Sequence, residues 1–459
     1  MRKETLRIAS GQGFWGDDLD APVRQVEGGP IDYLMMDYLA EVTMSIMQKQ
    51  RDRDPSAGYA RDFIPLMERI LPRVMDGGIR VVTNAGGVNP EGCAEALLEA
   101  AQRTGRAQGL KVGMVLGDNL IPRLDELMAR GHPFTNMDTG EPLELIRNRV
   151  RSANVYLGAE PIIRVLEQGA QVVLTGRCAD AALTYAPMIH EFGWDMTDVD
   201  RLAAGVVAGH VNECGAQTSG GNTLAEWWTV EDLAQVGFPI IEAYPNGEFV
   251  VTKHAGTGGR VSRATVSEQI VYEVGDPRAY ITPDVVADFT TLRLQDDGRD
   301  RVRVVGVRGR PRTDFLKVSI AYSAGYRAIA TLGYAWPDAP ATARMAERVL
   351  RERLDRLGLR FHQVRADLVG WDSTHGHLVG PPSPDIPEVQ LRVGVRGPDR
   401  RAVERFTREL APLVLTGPPS ATGFAGGRPR VQEVMAYWPA LIRREVVEPF
   451  LETRILEAE

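Results

Sequence analysis

Short runs of apolar, β-branched residues alternate with amphipathic helical stretches over about the first 250 residues, and this alternation constrains the fold most strongly. Strands that recur between helices form right-handed βαβ units around a parallel sheet. The runs at 79–83 and 171–174 are almost continuously apolar, as in strands that are buried on both faces. We therefore predict an α/β domain with a mostly parallel sheet and helices on both of its faces.

The predicted elements of this domain are short and closely spaced. Strands are expected at 6–10, 79–84, 111–116, 154–157 and 171–175, and helices at 33–50, 91–107, 160–169 and 179–192. The apolar face of the first helix would comprise Leu34, Tyr38, Val42 and Ile46. Asp37 and Glu41 would share another face of it, either as a solvated surface or as a pocket-facing pair that binds a metal or raises one pKa.

After about residue 245 the pattern becomes that of an α+β domain. Residues 248–275 and 290–308 predict antiparallel strands, and two strand-then-helix stretches follow at 315–358 and 388–412. This order indicates a smaller C-terminal domain, either ferredoxin-like or another split βαβ arrangement. We place an α/β ligand-binding or catalytic domain at 1–265 and the C-terminal α+β domain at 266–459.

The charge balance argues against a nucleic acid or an anionic membrane as the main partner. Lys and Arg number 53 against 61 Asp and Glu, a net charge of −8, whereas both partners require a basic footprint. No stretch reaches the roughly 18 apolar residues of a membrane helix. The first residues resemble no signal region, and Cys93, Cys178 and Cys214 are too few and too far apart for a disulfide framework, so we expect a cytoplasmic protein.

Ligands of a parallel sheet bind beyond the carboxyl ends of its strands, so the loops that follow the strands are the candidate site. The loop GQGFWG at 11–16 fits the G-x-G-x-x-G dinucleotide fingerprint. Asp17 and Asp18 follow it where a helix should begin, and their charges would repel a pyrophosphate. The alternatives are a tight glycine turn and a polar pocket that Gly13 and Asp17 line.

The loop after the second predicted strand contains Asn84, Gly86, Gly87 and Asn89. Asn89 can cap the next helix, and Pro90 suits its first position. Such a helix start binds a carboxylate or phosphate, and we take all four polar or glycine residues as candidate substrate ligands. An ordinary helix cap explains Asn89 and Pro90 equally well.

A third loop carries Arg177, Cys178 and Asp180. The guanidinium of Arg177 could clamp a carboxylate or phosphate, or pair with Asp180 at the helix start. Cys178 lies beside this arginine and is a candidate for a depressed thiol pKa, although a buried inert cysteine is the commoner case.

The densest polar stretch is 209–222. His210 and Glu213 are three residues apart, so on a helix they would share a face and could act as an acid–base pair or as metal ligands. In a loop this spacing would mean little. Cys214 is a candidate nucleophile and Gln217 a candidate substrate ligand. No H-E-x-x-H, C-x-x-C, Walker or G-x-S-x-G motif occurs, and no residue is assigned to a metal.

Six segments in consistent order together resemble the acyclic terpene utilisation family, the AtuA family. They are GQGFWGD at 11–17, DYLMMDYLAEVTMSIM at 32–47, TNAGGVNPEGC at 83–93, VVLTGRCADAALTYAP at 172–187, HVNECGAQTSGGN at 210–222 and GDPRAYITPDVVADF at 275–289. The resemblance implies a role in bacterial catabolism of branched terpenoid acids that are processed as coenzyme A thioesters. A lyase step on a hydroxyacyl thioester is the activity it suggests.

We therefore expect a catabolic enzyme that acts on a branched acyl substrate, as a coenzyme A thioester, by hydration or lyase chemistry. Proton transfer is assigned to Glu213 or His210, with Asp17 as a second group, and Arg177 would bind the carbonyl or an acidic end. The alternatives are a non-catalytic ligand-binding or assembly subunit and a metal-dependent hydrolase. No resident cofactor is predicted, coenzyme A would enter with the substrate, and large enzymes of this class favour a homo-oligomer.

Overall fold

The structure, a computed structural model, describes residues 3–383, 385–423 and 426–457. Within them the chain forms two compact units: residues 3–321 with 437–457, and the described residues of Tyr322–Ala436. The division therefore falls after residue 321, whereas the sequence suggested a boundary at 265/266. The reason is strand pairing, because strands between 285 and 311 and the last strand of the chain belong to sheets of the first unit.

The described strands and helices are numbered in chain order. The strands are β1 (Leu6–Gln12), β2 (Tyr33–Met36), β3 (Arg80–Thr83), β4 (Lys111–Leu116), β5 (Val150–Val155), β6 (Val172–Thr175), β7 (Ile240–Ala243), β8 (Phe249–Thr252), β9 (Tyr280–Ile281), β10 (Val285–Asp288), β11 (Arg293–Asp296), β12 (Val302–Val305), β13 (Arg308–Pro311), β14 (Phe315–Ala335), β15 (Gln363–Val369), β16 (Glu388–Gly397), β17 (Ala421–Gly423), β18 (Gln432–Arg443) and β19 (Glu452–Glu457). The α-helices are α1 (Ala21–Glu27), α2 (Glu41–Arg53), α3 (Phe63–Asp76), α4 (Pro90–Arg103), α5 (Leu124–Ala129), α6 (Glu160–Glu167), α7 (Ala182–Phe192), α8 (Val199–Glu213), α9 (Arg263–Val271), α10 (Ala339–Arg356), α11 (Arg400–Phe406), α12 (Leu413–Thr416) and α13 (Arg444–Val447). None of these described helices has the length and apolar content that a membrane span requires.

The first unit is built on one large mixed sheet with the strand order β11-β12-β8-β7-β1-β2-β3-β6-β4-β19. Its central strands β1, β2, β3, β6 and β4 are parallel, which agrees with the predicted parallel sheet, although β2 was not among the predicted strands. The flanking pairs are antiparallel, so the whole sheet is mixed and only its centre is parallel. The strand expected at 154–157 is not part of this sheet: β5 overlaps it only at residues 154–155 and pairs with β14.

Buried side chains on alternate positions of the central strands show that both faces of the sheet are covered. Leu34, Val81 and Val172 lie in one apolar cluster with residues of α3 and α4. Their neighbours Met35 and Val82 point the other way and are also fully buried. Helices α6, α7 and α8 pack successively against each other and against strands of this sheet. Core burial on both faces explains the continuous apolar runs in the sequence.

The segment 33–50 is not one helix. Tyr33–Met36 forms β2, a fully buried strand between β1 and β3, and α2 begins only at Glu41. Val42 and Ile46, expected on the buried face, are exposed. Pairing with two neighbouring strands therefore overrides the helical spacing, and it places Asp37 in a loop at the carboxyl end of a parallel strand.

The antiparallel prediction for 248–275 is correct only for its first part. β8 lies there, but α9 occupies Arg263–Val271. This helix begins with a capping box in which the hydroxyl of Ser262 accepts a hydrogen bond from the Thr265 amide at 3.3 Å. The strands β11 and β12 are antiparallel, as expected for 290–308, but they extend the large sheet of the first unit instead of forming part of the C-terminal domain.

The second unit is an antiparallel sheet with helices. Its strand order is β15-β16-β14-β17, and α10 and α11 pack on β16. Alternate residues of β16, including Val389, Leu391 and Val393, are buried against apolar side chains of α10 such as Leu350. This amphipathic pattern gives the second unit its own core.

Candidate functional site

A cavity of about 630 Å³ lies beyond the carboxyl ends of β1, β2 and β6, in the first unit. The loop after each strand and the segment after α8 supply its walls. The lining residues are Gly13, Phe14, Trp15, Asp17, Asp37, Tyr38, Leu39, Ala40, Glu41, Thr43, Arg177, Asp180, Glu213, Cys214, Ala216, Gln217, Gly221, Asn222, Tyr272 and Glu273. The position agrees with the rule that ligands bind at the carboxyl edge of parallel strands.

Asp37, which follows β2, is the most buried of the acidic residues that line this cavity. Its Oδ1 accepts hydrogen bonds from Asn84 Nδ2 at 2.6 Å and from the Leu39 amide at 3.1 Å. Burial raises the pKa of Asp37 to about 7, with the charge of Glu213 adding to this effect and Arg177 and Asn84 opposing it. Asp37 can therefore hold or release a proton near neutral pH.

Arg177 is enclosed by protein and paired. Its Nη1 donates to the Leu39 carbonyl at 2.7 Å and lies 3.0 Å from Asp180 Oδ1, and its guanidinium carbon lies 4.4 Å from the centre of the Tyr156 ring. Burial raises the pKa of Asp180 well above its ordinary value, although the charge of Arg177 opposes this. Of the two predicted alternatives, the structure therefore contains the internal Arg177–Asp180 pair.

A second buried carboxylate holds the Arg177 loop in place. Asp118 Oδ2 accepts hydrogen bonds from the Arg177 amide at 2.9 Å and from Asn154 Nδ2 at 2.8 Å. Burial raises the pKa of Asp118 to about 6. A Cβ atom on Gly176 would lie 2.4 Å from Asp118 Oδ1, so a glycine is required where the loop passes this side chain.

His210 and Glu213 lie in the last turn of α8, and the predicted shared helix face is confirmed. His210 Nδ1 donates to Glu213 Oε1 at 3.1 Å. Burial lowers the pKa of His210, but the hydrogen bond and charge of Glu213 outweigh it and the net shift is upward. His210 is 1% exposed and packs against Tyr280 and Phe289, so it lies behind the cavity wall.

Glu213 faces the cavity itself. Its Oε2 is buried and has no hydrogen-bond partner within the protein, whereas Oε1 is held by His210. A buried acceptor without a partner is costly, and a ligand group or a water molecule that donates to it would remove that cost. Glu213 is therefore the carboxylate best prepared to contact a ligand.

Four further predicted residues line the same cavity: Gly13, Asp17, Cys214 and Gln217. Asp17 Oδ2 accepts from the Gly13 amide at 2.9 Å, so this carboxylate closes the turn after β1 as well as facing the cavity. Gln217 Nε2 donates to Gln269 Oε1 at 2.9 Å. The ligand contacts assigned to them stay predictions.

The thiol groups are poorly prepared for nucleophilic chemistry. Burial raises the pKa of Cys214, and the charge of Glu213 raises it further. Burial also raises the pKa of Cys178, so the depression considered from its arginine neighbour does not occur. A high thiol pKa keeps the thiolate scarce at neutral pH, which works against a nucleophilic role for either residue.

The predicted residues at the start of α4 do not line the cavity. Asn89 Oδ1 accepts from the Gly92 amide at 3.2 Å and its Nδ2 donates to the Ala57 carbonyl at 2.9 Å, which satisfies both ends of the side chain. A Cβ atom on Gly86 would lie 2.7 Å from the Thr175 carbonyl oxygen, and Gly87 has a φ of 55°. These residues shape the loop, whereas Asn84 acts on the cavity through Asp37.

Asp37 and Glu41, considered from the sequence either as a solvated helix face or as a pocket-facing pair, both line the cavity. Glu41 Oε1 accepts from the Tyr156 hydroxyl at 2.8 Å. Burial raises the pKa of Glu41, but the charge of Arg177 and this hydrogen bond outweigh it and the pKa is lowered. The signal that could have revealed Asp37 is the strand-length apolar run Tyr33–Met36 directly before it.

Within the part of the chain that the structure describes, no group of three or more His, Cys, Asp or Glu side chains is arranged to hold a metal ion. The G-x-G-x-x-G segment is followed by a turn, and α1 begins only at Ala21, so the helix that a dinucleotide fingerprint needs is displaced. The site therefore rests on carboxyl groups, one paired arginine and aromatic walls.

These features define an α/β protein with an acidic cavity at the carboxyl edge of its parallel strands. The family model described as acyclic terpene utilisation family protein AtuA matches residues 6–453, and the chain belongs to this family. The resemblance seen in the sequence is confirmed, and membership implies a role in acyclic terpene utilisation. No curated protein and no solved structure matches the chain.

Proposed function

We propose that this protein is an enzyme of acyclic terpene utilisation that adds water to a branched acyl thioester, a coenzyme A ester, or cleaves it in a lyase step. One observation carries the proposal. The cavity holds Asp37, whose burial raises its pKa to about 7, together with Glu213, whose Oε2 has no partner within the protein. A proton donor and a proton acceptor in one cavity are what both reactions need.

In the hydration, a water molecule attacks the β-carbon of a double bond conjugated to the thioester carbonyl. Glu213 takes the proton of this water while its charge is supported by His210, and Asp37 delivers a proton to the α-carbon. The product is the 3-hydroxyacyl thioester, and the two carboxyl groups exchange their protonation states. Each group returns to its starting state by proton exchange with solvent.

The lyase step uses the same two groups. Glu213 removes the proton of a 3-hydroxyl group, the bond between the α- and β-carbons breaks with formation of a carbonyl, and Asp37 protonates the α-carbon of the leaving fragment. Trp15, Tyr38 and Leu39 supply apolar surface in the cavity wall, which suits a branched hydrocarbon chain.

The test is turnover of branched 2-enoyl and 3-hydroxyacyl coenzyme A esters by the purified protein, followed by absorbance of the conjugated thioester and by mass spectrometry. We expect conversion by the wild type and a loss of about a hundredfold or more in Asp37→Asn and Glu213→Gln. The matched controls are Asp138→Asn and Glu95→Gln, at exposed positions outside the cavity. Absence of conversion with every ester would contradict the proposal.

The finer predictions for the second unit and the assembly belong to the same proposal. The order β14, α10, β15, β16, α11, β17 supports a ferredoxin-like, split βαβ arrangement for the second unit. We propose a cytoplasmic homo-oligomer whose partner is a small acyl substrate. Sedimentation analysis of the purified protein tests the oligomeric state.

A further inference from the structure

The charge of the cavity restricts which form of an acyl compound can enter it. Its acidic lining residues are Asp17, Asp37, Glu41, Asp180, Glu213 and Glu273, and Arg177 is the one basic residue among the described lining residues. A ligand carboxylate would meet several carboxyl groups in a partly enclosed space, where water screens charges less than in bulk solution.

The guanidinium of Arg177 is not available to bind the carboxylate of a ligand. Its side chain is 2% exposed, and its guanidinium is taken up by Asp180, the Leu39 carbonyl and the face of the Tyr156 ring. Its Nε has no partner but is buried within the protein. The bidentate clamp that an incoming carboxylate needs is therefore already occupied.

The carboxyl groups on the walls are only partly neutralised by other cations. Glu41 Oε1 lies 4.0 Å from Lys317 Nζ, a residue outside the lining. Asp17 and Glu213 instead receive hydrogen bonds from the Gly13 amide and from His210. Burial raises the pKa of Asp37 and of Asp180, so proton uptake by these two groups lowers the negative charge of the cavity as the pH falls.

We propose that the cavity accepts an acyl group only when its carboxyl is masked, as in a thioester, and that it rejects the free acid and acyl chains with a second carboxylate. This inference rests on the proposed function and names its substrate class. Of the two proposed reactions, this inference favours hydration of a thioester that has no other carboxylate. It disfavours lysis of a substrate in which one of the two fragments would carry a free carboxylate. Asp37, Asp180 and the aromatic walls are the lining groups that would contact such a ligand.

The experiment compares probes of similar shape and different charge by isothermal titration calorimetry on the full chain. The probes are 3-methylbut-2-enoic acid, its primary amide, its pantetheine thioester and 3-methylbut-2-en-1-amine. At pH 7.5 we expect the amide and the thioester to bind at least about tenfold more tightly than the ionised acid. This difference in affinity should become smaller at pH 5, where both the free acid and the carboxyl groups of the cavity take up protons.

Variants identify the groups responsible. Asp180→Asn and Glu273→Gln each remove one carboxyl group, so each should reduce the ratio of the affinities for the amide and for the free acid. Glu273 is an exposed lining residue, so its replacement leaves the core unchanged. Glu95→Gln, outside the cavity, should leave this ratio of affinities unchanged. Equal or tighter binding of the free acid would overturn this inference and leave the proposed function standing. Tightest binding of the amine, or binding of no probe by the wild type, would overturn both.

Discussion

The imidazole of His210 holds one oxygen of Glu213 and leaves the other for the cavity. Nδ1 lies 3.1 Å from Oε1, whereas Oε2 has no partner within the protein. Gln269 Nε2 donates to the His210 carbonyl at 2.9 Å, which ties this end of α8 to α9. The carboxylate is thus oriented from behind, and His210 is a positioning residue that does not line the cavity.

Replacing Glu213 with Gln tests the central role of this carboxylate. The amide keeps the shape of the side chain but cannot accept a proton, so we expect kcat to fall by about a hundredfold or more. The melting temperature at pH 8.5 should change little, because the amide oxygen can still accept the hydrogen bond from His210 Nδ1. Turnover and thermal unfolding are measured beside Glu95→Gln. Activity close to that of the wild type would remove Glu213 from the mechanism.

The His210–Glu213 contact also predicts a pH-dependent contribution to stability. The folded-state pKa of His210 is raised above its ordinary value of 6.5, with Glu213 outweighing the opposing effect of burial. The stabilisation is therefore fully present below about pH 6.5 and is lost as the pH rises through the raised pKa. We expect the free energy of unfolding of His210→Gln to fall furthest below that of the wild type at pH 5.5.

Urea unfolding at pH 5.5 and at pH 8.5 measures this difference. The exposed His375 supplies a matched control, because His375→Gln should shift stability equally at both pH values. A deficit of the same size at both pH values for His210→Gln would mean that packing against Tyr280 and Phe289, and no charge interaction, explains the effect.

The parts of the fold that were predictable from sequence are those with local signals. The continuous apolar runs of β3 and β6 indicate strands buried on both faces, and the polar loops behind them lie at the carboxyl edge of the sheet. The three-residue spacing of His210 and Glu213 had meaning only on a helix, which α8 supplies. Local pattern therefore located much of the cavity.

The parts that were missed depend on pairing between distant segments. The apolar run Tyr33–Met36 is compatible with a buried helix and with a buried strand. It forms a strand because it pairs with β1 on one side and with β3 on the other. The division after residue 321 depends on pairing of the same kind, since β12 pairs with β8 and β19 with β4. Asp37 was expected on a helix face with Glu41, whereas it follows β2 in a loop.

Asp37 should make the folded state less stable as the pH rises. Burial raises its folded-state pKa from 3.8 to about 7, so the folded chain binds a proton more tightly than the unfolded chain does. Stability is then lost between about pH 4 and pH 7. Asp37→Asn does not titrate at this position, so it lacks this loss. Between pH 4.5 and pH 8, the free energy of unfolding of Asp37→Asn relative to that of the wild type should rise by at most about 4 kcal/mol.

Urea unfolding at the two pH values gives the comparison, and any constant effect of Asn on the hydrogen bond with Asn84 cancels in it. Asp138→Asn, at an exposed position, is the control and should show no such gain. A constant difference between Asp37→Asn and the wild type would show that the Asp37 carboxyl titrates at its ordinary pKa.

Gly13 should be sensitive to the addition of a single methyl group. A Cβ atom there would lie 2.8 Å from the carbonyl carbon of Cys214, which is backbone and cannot move aside alone. Gly13→Ala should therefore displace the chain next to Glu213, lower kcat at least about tenfold and cost about 1–3 kcal/mol of stability. Gly275→Ala is the matched control, because a Cβ atom there meets no atom within 4 Å. Equal turnover and equal melting temperatures of the two variants would contradict this prediction. They would show that the contact between Gly13 and the Cys214 backbone tolerates the added atom and that Glu213 does not depend on it.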